Sequence, residues 1–176
     1  MMRHRFAIPA LIACLALAPA ACKRKKVRVQ TDEEAPRVSS MIHMADPRAA
    51  SQLVSGFYDI EGNAWRWTAG KFSVVLRPPR GAEQKGATLR FLFAVPDLIY
   101  QKIGAQTLTA TVDGLALAPE PAMKPGEHTF TREVPGSKLA GETVRVDFVL
   151  DKCLPATGAD SRDLGVVASS VALEPK

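Results

Sequence analysis

Cysteine is too scarce in this chain to build a disulfide framework. The three are Cys14, Cys22 and Cys153. The first two fall in a leader segment, which leaves Cys153 alone. An odd cysteine of this kind is either a reactive thiol or, more commonly, a small buried hydrophobe. Histidine is equally sparse. His4, His43 and His128 lie far apart, so no metal-ligand spacing exists and no metal or cofactor is expected. There is no nucleophile elbow, no glycine-rich phosphate loop and no internal repeat. Carboxylates are present, but their pairing across a substrate is a three-dimensional property that spacing does not show. The expectation is a protein without catalytic activity.

Long hydrophobic runs are also missing. The apolar stretch from Phe6 to Leu17 is shorter than the roughly 20 residues that span a bilayer. A surplus of positive charge is missing from the main body as well. The chain carries +5 overall with a pI near 9.3. The first 56 residues hold 9 Lys/Arg against 4 Asp/Glu, and the remainder holds 14 of each. That balance argues against nucleic acid as a partner.

What is present begins with an address. Met1-Met2-Arg3-His4-Arg5 is a basic start, and the apolar run follows it. Ala18-Pro19-Ala20-Ala21-Cys22 is then a small-residue site ending in cysteine, followed by Lys23-Arg24-Lys25-Lys26. This is the layout of a secretory signal. Three processing sites compete. Cleavage before Cys22 would place a diacylglycerol lipid on that cysteine. Cleavage before Cys14, after Leu11-Ile12-Ala13, is the better local spelling of a lipobox. Cleavage after Ala20 would leave no lipid. Cys22 is preferred, because cutting at Cys14 leaves an apolar core near the bottom of the roughly 7–15-residue range. Lys23 is not the aspartate that commonly retains lipoproteins at an inner membrane. The outer membrane is the expected address where the host has two.

Three regions follow: a signal at 1–21, a flexible tether with a short helix at 22–56, and a folded domain at 57–176. In the tether, Asp46-Pro47 marks a helix start with Asp46 as the cap. Ala49, Ala50, Leu53 and Val54 would form its apolar face. From Phe57 onward the chain alternates. Leu89, Phe91, Phe93 and Val95 interleave with Arg90, Leu92 and Ala94, and the same period recurs over 72–76, 107–112, 128–134 and 143–150. Short segments at Phe57–Ile60 and Trp65–Thr68 and a last strand near Leu164–Leu173 complete the set. Asp113-Gly114 is a tight hairpin turn. Pro96 to Gly104 reads as a helical turn. About eight half-buried antiparallel strands imply an all-β, jelly-roll-like sandwich.

Two stretches are candidates for binding. In Trp65-Arg66-Trp67-Thr68, strand geometry puts both tryptophans on one side and Arg66 on the other. Exposed, the tryptophans would stack on sugar rings; the more common outcome is that at least one fills the core. In Asp160-Ser161-Arg162-Asp163, Arg162 is a forked donor that either receives a polar ligand or braces a long loop through Asp160. The ligand-binding candidates are Arg66, Trp67, Asp160 and Arg162, with Cys22 as the lipidation site.

A resemblance joins these stretches. Gly56-Phe57-Tyr58 with Glu61, Trp65-Arg66-Trp67-Thr68, Leu76-Arg77-Pro78, the Val95-Pro96 and Val134-Pro135 strand ends, and Asp160-x-Arg162-x-Leu164-Gly165 resemble a bacterial β-sandwich domain. That domain is appended to membrane glycosyltransferases and occurs in small exported lipoproteins. The resemblance implies a module near envelope glycans, binding or scaffolding glycan or protein partners. A small carbohydrate-active enzyme and a purely structural lipoprotein are the alternatives.

Overall fold

The computed structural model describes residues 38–176. Cys14, Ala20 and Cys22, with the three processing sites they define, lie outside the described residues. Among the described residues ten strands form one antiparallel sheet that curls into a sandwich. They are β1 (Met41–His43), β2 (Leu53–Glu61), β3 (Trp65–Leu76), β4 (Ala87–Val95), β5 (Gln106–Val112), β6 (Leu115–Ala116), β7 (Glu120–Met123), β8 (Gly126–Val134), β9 (Val144–Leu150) and β10 (Val167–Pro175). Two short helices, α1 (Ala82–Lys85) and α2 (Asp97–Ile103), flank β4. The strand order is β6-β5-β9-β3-β10-β4-β8, with β1 on β10, β2 on β3 and β7 on β5.

The long strand β3 joins the two layers. Its C-terminal half pairs with β9 from Lys71↔Val149 to Leu76↔Val144. Its N-terminal end pairs with β10 at Arg66↔Ala168 and Trp67↔Val167. The alternation read from the sequence sets the inward faces. Leu89, Phe91, Phe93 and Val95 are all buried, as are Phe72, Val74 and Leu76, and Val144, Val146, Phe148 and Leu150. The layers meet through aromatic rings. Phe91 of β4 lies 4.9 Å from Phe148 of β9 and 5.7 Å from Phe72 of β3, centroid to centroid. Such pairs add about 0.5–1.5 kcal/mol each beyond the area they bury.

Three expectations are corrected. Residues 41–56, read as tether, are part of the folded domain, with 41–43 and 53–56 in the sheet. Ile42 and Met44 alternate inward and are 2% and 0% exposed, and β1 pairs with β10 across Met41↔Ala172 to His43↔Ser170. The boundary expected at Phe57 falls inside β2. The helix expected after Asp46 is a 3-10 turn at Pro47–Gln52, capped by Asp46 accepting from the Arg48 amide. Leu53 and Val54, expected on its apolar face, open β2 instead. The strands expected at 65–68 and 72–76 are one strand of 12 residues.

The side-chain amide of Gln52 explains why the segment before β2 is ordered. It accepts from the Ser39 amide and donates to the carbonyls of Ser39 and Val75. A buried amide fully used in this way ties residues far apart in sequence to β3.

Candidate functional site

The β2–β3 hairpin builds the site. Gly62 and Asn63 turn it with φ of 59° and 53°, the left-handed pair that a tight hairpin with the strands' own twist requires. Gly62 also leaves room for an indole ring. A Cβ there would sit 2.9 Å from Cη2 of Trp65, whose ring lies over the turn. The pairing Ile60↔Arg66 and Glu61↔Trp65 then sets which side chains face out.

The outcome inverts the common expectation for Trp65-Arg66-Trp67. Arg66 and Thr68 point into the sandwich, 8% and 0% exposed. Trp65 is 38% exposed and Trp67 half-buried on the outer side. Neither tryptophan joins the buried core. Arg66 donates from Nε to the Met44 carbonyl at 3.1 Å and from Nη1 to the Tyr58 carbonyl at 2.9 Å. It ties the chain around Met44 and strand β2 onto β3. Arg66 is therefore removed from the binding candidates: it is a buried tie with its donors aimed at backbone.

The other three candidates converge outside. Arg162 holds Asp160 in a fork, Nε to Oδ1 at 3.0 Å and Nη2 to Oδ2 at 2.9 Å. Its Nη1 reaches Glu61 Oε1 at 2.7 Å. The other Glu61 oxygen accepts from the Trp67 indole N–H at 3.2 Å. Asp160, Arg162, Glu61 and Trp67 thus form a continuous polar chain that ends on an indole ring. Tyr58 completes the cluster. Arg162 Cζ lies 5.3 Å from its ring centroid, and its hydroxyl donates to the Asp163 carbonyl at 3.0 Å. Tyr58 and Glu61 are not singled out as site residues by the sequence. The available signal was their place across the Gly62-Asn63 turn from Trp67.

The loop carrying Arg162 is closed at its base by paired Leu154 and Leu164 backbones. Within it, Thr157 and Asp160 exchange backbone hydrogen bonds, and Asp163 accepts from the Ala156 amide. Hydrogen bonds from the Arg162 side chain, then from its backbone N–H, hold the Asp160 carboxyl below the usual carboxylate range. The same contacts, first with Asp160 and then with Glu61, push Arg162 further above its ordinary value. Cys153 lies behind the loop, half-buried against Gly70. Burial, then the charge of Asp163, raises its pKa and keeps the thiol protonated. Among the described residues no group of His, Cys, Asp and Glu is placed to hold a metal. No described helix is long and apolar enough to cross a membrane.

No family model matches the chain, and no curated protein matches it. Solved structures are similar in fold. An acetyl xylan esterase, Est2A, from the rumen bacterium Butyrivibrio proteoclasticus aligns with 80% of this chain at 11% identity and a TM-score of 0.46. The chain spans 33% of that esterase's length. The mannan-recognising carbohydrate-binding module TmCBM27 aligns over 80% of this chain and 98% of its own, at 10% identity and a TM-score of 0.43. The CBM51-2 and INT domains of Clostridium perfringens ZmpB align over 77% of this chain and 28% of theirs, at 11% identity and a TM-score of 0.38.

Proposed function

We propose that this protein is a non-catalytic glycan-binding module carried on an envelope lipoprotein anchored through Cys22. The observation that carries the binding reading is the outer side of the β2–β3 hairpin. Two indoles and a phenol share that side, with Trp67 oriented by Glu61 and Glu61 by Arg162. Sugar rings present apolar C–H faces and polar edges. Oriented aromatic rings beside fixed hydrogen-bonding groups answer both.

The same geometry disfavours hydrolysis. Glu61 and Asp160 lie close together, but one guanidinium occupies the space between them. A glycosidase needs that space for the scissile bond, and one carboxyl with a raised pKa. Asp160 is shifted the other way.

Binding is tested on a glycan array with the full chain. Retention of a glycan class, lost in Trp67→Ala with an unchanged melting temperature, supports the reading. Absence of any glycan bound, with capture of an envelope protein instead, replaces it with scaffolding. Anchoring rests on the spelling around Cys22 and is tested by fatty-acid labelling. Label that persists in Cys22→Ser moves the anchor to Cys14.

A further inference from the structure

A second polar and apolar surface shares the outer side with Trp67. Strand register connects them. Trp67 of β3 faces Val167 of β10, Val167 faces Ala94 of β4, and Ala94 faces Glu127 of β8. These four residues form one row across the sheet. The next inward-facing row, Arg66, Ala168, Phe93 and His128, confirms the alternation, since its first three members are buried. At the far end of the outer row the surface dips into a hollow of ≈ 140 Å³. Leu92 and Ala94 line it on the apolar side, and Glu127, Thr129 and Ser169 on the polar side. Ser169 is available because β10 bulges there, between Ala168 and Ser170, and leaves it exposed.

The size and lining identify what fits. An engineered cavity of about 150 Å³ in another protein accepts one benzene ring, so this hollow matches one six-membered ring. Two hydroxyls and a carboxylate beside aliphatic side chains suit a pyranose, which needs hydrogen bonds at its rim and contact on its face. Trp67 is three strand spacings from Glu127, about 14 Å at roughly 4.8 Å per spacing. One sugar unit cannot touch both ends, and a chain of several can.

Charge narrows the class. Along this path Arg162 pairs with two carboxylates, Glu61 and Asp160, and Glu127 adds a third at the hollow. Arg90, further along β4, is paired with Glu174 at 3.5 Å. His128, which also lines the hollow, commits Nε2 to the Lys124 carbonyl, donating at 2.6 Å. The carboxylate of Glu127 lies in the hollow itself, and an anionic sugar would be repelled there.

We infer that a linear oligosaccharide without anionic groups crosses strands β3, β10, β4 and β8, with one ring at Trp67 and another in the hollow at Glu127 and Thr129. This rests on the glycan-binding reading above and adds to it a second subsite and a charge class. The test uses the full chain and three ligand series, each of short and long members: cello-oligosaccharides, deacetylated chito-oligosaccharides and oligogalacturonates. Thr129 and Glu127 are exposed on an edge strand, so substitutions there leave folding intact, and melting curves confirm it. Thr129→Trp fills the hollow. It is expected to weaken the long neutral or amino ligand about tenfold and to leave the shortest unchanged. Glu127→Lys is expected to raise affinity for oligogalacturonates. Binding removed by Trp67→Ala but untouched by Thr129→Trp overturns the second subsite and spares the glycan reading. Tighter binding of oligogalacturonates by the native chain overturns the charge assignment. No binding by any series overturns both.

Discussion

Arg66 and Arg162 lie on opposite sides of strand β3 and are held by opposite means. Arg66 is buried, and its identified partners are the backbone carbonyls of Met44 and Tyr58. Arg162 is 31% exposed and holds two carboxylates, at 2.7 and 2.9 Å. A buried guanidinium must satisfy its charge through fixed dipoles, and losing it strands those carbonyls. An exposed guanidinium between carboxylates adds little stability per pair, because water screens it. What Arg162 does supply is direction. It fixes Glu61, and Glu61 fixes the Trp67 ring. The inner side of β3 therefore holds the fold together and the outer side presents an oriented surface, with one peptide unit between them.

The largest effect expected is on the inner side. Arg66→Ala removes two charge-assisted hydrogen bonds and leaves the Met44 and Tyr58 carbonyls unpaired. The expected loss is roughly 3 kcal/mol, a melting temperature lower by about 10 °C for a domain of this size. Thermal denaturation followed by circular dichroism measures it. A change of only a degree or two would show that β1 and β2 are held without Arg66, and the contrast between the two faces would collapse.

That contrast was only partly legible in the sequence. Strands β4, β5, β8 and β9 followed from alternation because one side of each is core and the other is not. The Asp113-Gly114 hairpin and the Asp46 cap followed from local backbone chemistry. Strand β1 did not, since three residues have too short a pattern and its partner lies at the far end of the chain. The orientation of Trp65-Arg66-Trp67 did not follow either. Tryptophan carries the larger apolar area, so local reasoning sends it inward. The register against β10, and the two remote carbonyls that receive Arg66, decide otherwise, and neither is visible within the hairpin. Asp160 with Arg162 was readable as a pair because only Ser161 separates them. Their connection to Glu61, 101 residues away, was not.

On the outer side a smaller stability effect is expected with a larger effect on recognition. Arg162→Ala breaks two exposed ion pairs and should cost about 1 kcal/mol, or roughly 3 °C. Glu61 then loses its support and the Trp67 ring its fixed orientation, so glycan affinity should fall more than stability does. Equal affinity in the variant, by calorimetry, would separate Trp67 from the Arg162 chain. Trp67→Phe sharpens the point further. It keeps a ring and deletes the indole N–H that Glu61 accepts. The melting temperature should barely move, and affinity should fall by less than in Trp67→Ala. A phenylalanine variant as weak as the alanine one would mean that the hydrogen bond, not the ring face, makes the contact.

The smallest effect is a pH dependence confined to acid. Asp160 has its carboxyl held low by the Arg162 side chain and then by the Arg162 amide. A group whose folded pKa lies below its unfolded value of about 3.9 adds stability that is complete above that value. The contribution fades as pH falls through the lower, folded pKa. Arg66 has no carboxylate among its identified partners, so its contribution should not follow that titration. The melting-temperature gap between native protein and Arg162→Ala should therefore stay constant from pH 8 to about 5 and shrink below about 4. The gap for Arg66→Ala should persist over the same acid range. Melting curves of the three proteins at matched ionic strength decide it. A gap for Arg162→Ala that survives unchanged well below pH 3 would mean that this arginine acts through its stacking on Tyr58 rather than through Asp160 and Glu61. The outer face would then be braced by packing, as the inner face is braced by backbone.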